Sequence, residues 1–278
     1  MIIPKITEIT CFLKEYRRRQ TVLSITTGFP SIDKFGQYSS GGLTVIAGYP
    51  GMGVTAFMVS SLINIAKLNE SCTYISLKEP ALTTLRLIAT NLFQSIDFKS
   101  SKCSNKDFIK SIEGSALESL PIQICDNSNI YVSDLDFILG IRKQAEFEIS
   151  KVFFIDDLDE LKIAEGENIK DRFSLICEEL KELADRYQIS IVIGHTIKPI
   201  KDSTERPTLS MLRKDGEIEQ NANLIVFLYR HEYFKLEISE NGTPTQGLIE
   251  IIIAKSEHGK TGSVEMKFVG KYHKVEGA

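Results

Sequence analysis

No stretch of this 278-residue chain approaches the roughly 20 apolar residues that a membrane-spanning helix needs, and its first residues, MIIPKITEIT, hold no apolar run long enough for a signal peptide. The expectation is a cytoplasmic protein without membrane contact. Its five cysteines, Cys11, Cys72, Cys103, Cys125 and Cys177, are odd in number, scattered and never spaced as CxxC. Neither a disulfide framework nor a zinc site follows, and buried thiols are expected. His195, His231, His258 and His273 do not fall at metal-ligand spacings. No Ser-His-Asp order or nucleophile elbow is present. Positive charge is not in excess either: 33 Lys and Arg stand against 37 Asp and Glu, a formal charge of −4. That excludes a uniformly basic nucleic-acid coat and leaves room only for a local basic loop. Charged residues at 25% and hydrophobic ones at 42% exclude a disordered, collagen-like or coiled-coil chain.

What is present reads as one large α/β unit behind a short lead. Ile6, Ile9, Phe12, Leu13 and Tyr16 recur at helical spacing, with Lys14, Arg17, Arg18 and Arg19 near the end, which predicts an isolated amphipathic helix. Apolar runs then alternate with helical patterns. Strands are predicted at Leu43 to Ala47, Cys72 to Leu77, PIQI, VFFI and ISIVIG. Helices are predicted from Ala56 to about Leu68, after Pro80, from Val132 to about Glu148, and near Asn168 to Tyr187. Such alternation means βαβ units and a mostly parallel sheet covered on both faces. A polar insertion between Phe93 and Leu120 is read as helical. Three later runs, Leu224 to Tyr229, Tyr233 to Ile238 and Leu248 to Ala254, with Asn241-Gly242 before the last, predict antiparallel strands and a hairpin.

Gly48-Tyr49-Pro50-Gly51-Met52-Gly53-Val54-Thr55 follows a predicted strand and opens a predicted helix, the context of the phosphate-cradling G-x-x-x-x-G-K-[ST] loop. Backbone N–H groups from Gly48 through Ala56 and the helix N-terminus would face the phosphates of ATP, and Thr55 stands at the Mg²⁺-binding hydroxyl. The lysine position holds Val54. A charge pair at about 4 Å and an effective dielectric near 20 is worth roughly 4 kcal/mol, so its loss weakens triphosphate binding. A glycine-rich strand-to-helix turn without ligand carries the same pattern. Asp156, ending the apolar strand at Val152 to Asp157, is the candidate metal-side acid.

With these landmarks the chain resembles the C-terminal, RecA-like motor domain of the DnaB-type replicative helicases. The resemblance is carried by TTGFPSIDKF, GYPGMGVTAF, YISL, LPIQICDNSNI, FFIDDL, EELKELADRYQISIVI, RPTLSMLRKDGEIEQNANLIVFLYRHEYF and EIIIAKSEHGKTGSVEMKF, in family order from about residue 20 to 275. It implies a P-loop NTPase domain over 23–278, with residues 1–22 resembling the family's linker helix, which docks on a neighbouring subunit. No counterpart of the family's N-terminal primase-interacting domain is seen. The implied assembly is a homo-oligomeric ring, a hexamer in the family, with nucleotide between subunits and single-stranded DNA in its channel. An active DnaB-type helicase is the other implied partner.

The departures from the family matter as much. Besides Val54, the catalytic glutamate falls on Lys78, the polar sensor glutamine on Thr196 and the arginine finger on Glu257, while Lys255 is kept among the nucleotide-binding residues. A positioned base is worth about 10²–10⁴ in rate and an arginine finger about 10³–10⁵. Two roles stay open for Lys78: pairing with Glu257 across a subunit contact, or reaching the β/γ-phosphates. The basic stretch around Lys198, Lys201, Arg206, Arg213 and Lys214 matches the family's DNA-gripping loop, where such contacts position a strand without reading its sequence. Three readings follow: an impaired family member that binds ATP/Mg²⁺ and DNA weakly, an active ATP-dependent 5′–3′ DNA helicase, or a structural protein that binds neither. The first is preferred.

Overall fold

The computed structural model describes residues 24–95, 98, 103–127, 129–163, 172–198, 205–212, 218–238, 242, 244–257 and 259–277. The predicted helix of residues 6–19 lies outside them. A ribbon of β1 (Ser24–Ile25) and β2 (Tyr38–Ser39) leads into a nine-stranded sheet. Its strands are β3 (Gly42–Gly48), β4 (Cys72–Ser76), β5 (Ile122–Cys125), β6 (Val152–Asp156), β7 (Ser190–Thr196), β8 (Leu224–Tyr229), β9 (Leu248–Ser256), β10 (Gly262–Val269) and β11 (Lys274–Glu276). The order is β11-β10-β9-β8-β3-β7-β6-β4-β5; β8 through β5 run parallel, and β9, β10 and β11 join antiparallel. Every residue of β3 and β8 is buried, as continuous apolar runs in a parallel sheet covered on both faces must be.

Five helices of eight residues or more are described: α1 (Val54–Ala66), α2 (Ala81–Phe93), α3 (Asn105–Ile112), α4 (Val132–Gln144) and α5 (Arg172–Tyr187). Helix α1 is apolar nearly all round and buried along most of its length, as a central helix must be. Its two buried serines are satisfied. Ser60 Oγ donates to Ala56 O and accepts from Asn91 and from the Val275 amide, each at 2.9 Å. Ser61 bonds Thr27 O and the Tyr38 hydroxyl. These serines thus fasten β11 and the β1–β2 ribbon to the helix that follows the phosphate loop.

Three predicted elements change. The run from Tyr233 to Ile238 is a 3₁₀ turn, His231–Phe234, followed by a single antiparallel bridge between Ile238 and Pro244. Its aromatics are consumed by packing: Phe234 stacks on Tyr229 at 5.5 Å and meets Tyr49 edge-on at 6.2 Å. The polar insertion is helical over Asn105–Ile112, capped by Ser104, which accepts from the Asp107 amide. The antiparallel extension is longer than expected because β10 and β11 add two strands. Cys72 and Cys177 are buried, whereas Cys103 and Cys125 are only half-buried.

Candidate nucleotide site

Strand β3 delivers the loop at the carboxyl edge of the parallel strands, where β7 and β8 flank it. Gly51 and Gly53 take φ values of +81° and +96°, and Gly53 is the N-cap of α1 with no side chain capping the helix. Glycine is required at both: a Cβ on Gly51 would lie 2.9 Å from the Tyr233 ring, and one on Gly53 2.9 Å from the Phe268 ring. Arg230 closes this cover. Its Nη1 donates to Gly51 O at 3.1 Å, its amide to Met52 Sδ at 3.2 Å, and its guanidinium lies 4.0 Å from the Phe268 ring centre. Val54 is half-buried and packs on the core, and a Cβ added to Gly194 would stand 3.1 Å from its Cγ1. The position that a P-loop gives to an ammonium is here a half-buried apolar side chain resting on the core.

On the acid side, Thr55 Oγ1 donates to Asp156 Oδ2 at 2.8 Å, and the Tyr74 hydroxyl donates to the same oxygen at 2.7 Å. Burial holds the Asp156 carboxyl above the ordinary aspartate range, while the bonds from Tyr74 and Thr55 pull it partly back. The neighbouring Asp157 is 5% exposed. Its Oδ2 accepts from Lys78 Nζ at 2.6 Å, and its Oδ1 is buried with no hydrogen-bond partner. Burial alone would lower the Lys78 ammonium, but the bond to Asp157 and the charges of Asp157, Asp159 and Glu160 leave it above the usual lysine value. Thr196, at the sensor position, gives its backbone N–H to Asp159.

The donor set suits a magnesium nucleotide, with one charge missing. Thr55 and Asp156 are hard oxygen ligands already in contact, and Mg²⁺ is ordinarily held by one or two such groups plus phosphate and water. Among the described residues no three His, Cys, Asp or Glu side chains gather to hold a metal alone. The uncapped start of α1 supplies amides and the positive end of the helix dipole. Gly48 and Ala56 frame that turn, and no cation enters it from the loop itself.

The remaining candidates lie elsewhere. Lys255 Nζ donates to Glu219 O at 2.7 Å, and the Glu257 carboxylate accepts from Asn223 Nδ2, whose residue directly precedes β8. Ser256 pairs with Leu224, so Glu257 sits at the amino edge of the parallel strands, opposite Lys78 beyond the carboxyl end of β4. Within one chain Lys78 and Glu257 lie at opposite edges of the sheet, with β8, β3, β7 and β6 between the strands that carry them, and cannot meet. Only two chains could bring them together, and Lys78 already holds Asp157. Lys198 is exposed; Lys201, Arg213 and Lys214 lie outside the described residues. Arg206, expected to face a strand, turns Nη2 to Glu250 Oε1 at 2.9 Å, and His231 Nε2 stands 3.3 Å from the other oxygen.

Sequence reasoning missed the cover over the loop and the counter-ion of Lys78. Arg230, Tyr233 and Phe268 come from just past the end of β8, from the 3₁₀ turn after it and from β10, which no local pattern links to residues 48–55. Asp157 carried a signal: an acid directly after the metal-side acid, one strand away from an unexpected lysine.

A parallel sheet with an uncapped glycine loop on its central strand and an acid at the next strand but one defines a RecA-like ATPase fold. The DnaB-like helicase C terminal domain model matches residues 24–277, and the chain belongs to that family. It is 32% identical over 267 residues to a probable plasmid replicative DNA helicase of Chlamydia psittaci, covering 91% of this chain and 56% of that protein. It is 29% identical over 273 residues to the replicative DNA helicase DnaB of Geobacillus stearothermophilus, covering 93% and 58%. The chain thus spans a little over half the length of these relatives. A structure of a DnaB-like replicative helicase and its interactions with primase superposes with a TM-score of 0.81 at 22% identity, over 99% of this chain and 68% of that one. A second solved structure, of an ATPase domain, does so at 0.76 and 22%, over 99% of this chain and all of that one.

Proposed function

We propose that this chain is a catalytically impaired DnaB-family protein of DNA replication that keeps the nucleotide scaffold, binds Mg²⁺-nucleotide weakly, and self-assembles or joins an active helicase. One observation carries the reading: the Thr55–Asp156 pair is assembled at 2.8 Å, while the charged positions around it are an apolar Val54 and a Lys78 engaged with Asp157. A site so arranged orients a metal and a phosphate chain but has no positioned carboxylate at the place of the missing glutamate. Losing such a base costs about 10²–10⁴ in rate.

The assembly part of the reading is supported by α4. Val132, Leu135 and Leu139 face inward, yet Phe137, Ile138 and Ile141 on the opposite side are exposed, Phe137 at 69%. A helix apolar on both sides is covered by something. The occupant proposed is the Ile6, Ile9, Phe12, Leu13, Tyr16 stripe of a neighbouring copy, with residues 1–22 as the linker segment and 23–278 as the motor-like domain. Phe137→Glu should shift the mass distribution toward monomer in sedimentation velocity with little change in melting temperature. For DNA, Lys198, Lys201 and Arg213 are the proposed backbone contacts, with Arg206 as their anchor.

The deciding experiment is steady-state ATPase with and without single-stranded DNA, beside the triple reversion Val54→Lys, Lys78→Glu, Glu257→Arg. Slow turnover by the unaltered chain is expected. Brisk DNA-stimulated turnover without the reversions would overturn the reading in favour of a working helicase.

A further inference from the structure

The loop that should carry an ammonium has none, and an ammonium stands past the end of β4, the strand beside the one that brings Asp156 to Thr55. β4 and β6 are paired in parallel with Ser76 opposite Asp156, so Lys78 and Asp157 both lie just past the strand ends, on the edge where Asp156 meets Thr55. Lys78 bonds Asp157 at 2.6 Å, but the two ends of this bridge differ: the lysine side chain is 46% exposed and the aspartate 6%. Nor is the bridge complete, since Asp157 Oδ1 is buried and unpartnered. A finished structural ion pair in the interior satisfies its remaining lone pairs; this one holds a flexible cation at the mouth of the site against a fixed anion below it.

We infer that Lys78 is the phosphate-binding cation of this chain, replacing the loop lysine absent at Val54, and that Asp157 is its resting counter-ion. On arrival of a magnesium triphosphate the ammonium leaves Asp157 for the terminal phosphate. Lysine suits the exchange because its charge is compact and its stem flexible, and a bond to an ionised phosphate is among the stronger ones available to it. The inference rests on the nucleotide-binding reading above and names the residue that makes it work. It also gives the site a preference: an ammonium beyond the acid edge recognises the third phosphate, not the first two.

The test is equilibrium binding of fluorescent ADP and of a fluorescent β,γ-methylene triphosphate analogue, each with Mg²⁺, to the full chain and to Lys78→Met, Lys78→Arg and Asp157→Asn. Lys78→Met should weaken the triphosphate analogue by about 10- to 100-fold, the worth of a charged hydrogen bond, and ADP by less than about threefold. Lys78→Arg should retain most of the triphosphate affinity. Asp157→Asn, which removes the competing anion, should tighten it several-fold. If the unaltered chain binds neither nucleotide, the nucleotide reading itself fails. If it binds both and Lys78→Met binds the triphosphate as well as before, only the present inference falls. Equal losses for ADP and the triphosphate in Lys78→Met, or weaker triphosphate binding in Asp157→Asn, would also overturn it.

Discussion

Replacing Arg206 with methionine distinguishes an arginine that anchors its segment from one that grips a DNA strand. Its Nη2 lies 2.9 Å from Glu250 Oε1, with the arginine side chain 36% exposed and the glutamate 4%. Stranding the survivor of a fully buried pair costs about 3–5 kcal/mol. Water reaches this guanidinium, and His231 stays within 3.3 Å of Glu250, so the discounted cost is about 2 kcal/mol. For a chain of this size that is a fall in melting temperature of about 4–6 °C. Glu250→Gln in the same background should recover most of the loss, because the double variant strands no charge. Calorimetry of the two single variants and the double variant reads this directly. Anisotropy with a labelled single strand, measured across a salt series, supplies the second arm. Removing one phosphate-binding cation lowers the salt slope by about 0.7, and an anchoring arginine should leave that slope as it was. An unchanged melting temperature together with a shallower slope would refute the anchoring argument.

Three further outcomes follow from the site. Val54→Lys should raise triphosphate affinity by at least about tenfold in titration calorimetry if the loop still accepts phosphate, since a charge pair there is worth roughly 4 kcal/mol before desolvation; no gain would mean the apolar packing against Gly194 has closed the place. Asp156 has a raised pKa, so its contribution to stability is present below the ordinary aspartate value and is lost as pH rises through the raised one. Mg²⁺ needs the ionised form, so on acidification Mg²⁺-nucleotide affinity should begin to fall at a higher pH than an ordinary aspartate would dictate. Tyr74→Phe, which removes a bond that lowers this pKa, should move that fall to higher pH; an unshifted profile contradicts the assignment. Burial pushes the Cys72 and Cys177 thiols up to about 12, so Cys103 and Cys125 should alkylate before these two in a mass-spectrometric time course.

The parallel core was readable because its strands are unbroken apolar runs and its helices repeat between them. Val152 to Asp156 and Leu224 to Tyr229 fall where the apolar pattern placed them. The run from Tyr233 to Ile238 was not, since its aromatic residues score as strand and only tertiary packing on Tyr229 and Tyr49 makes them a turn. At the site, Thr55 and Asp156 were legible by spacing, and the fold brings the two side chains into direct contact. Tyr74 was not: a tyrosine inside an apolar strand has nothing local to show that its hydroxyl reaches a carboxylate on another strand. The partners of Lys78 and Arg206 were hidden for the same reason, since sequence gives a charge its position along the chain but not its neighbour across a sheet.

Tyr49 belongs to the glycine loop, yet its hydroxyl donates to Glu205 O at 3.1 Å and lies 3.2 Å from Met211 Sδ. Arg206 and Pro207 sit between those two points, so the tether runs from the turn that would cradle an anion to the anchor of the basic segment. Moving the turn apart from residues 205–212 would cost that hydrogen bond, about 1 kcal/mol, and with it the tie between the glycine loop and the segment that holds Arg206.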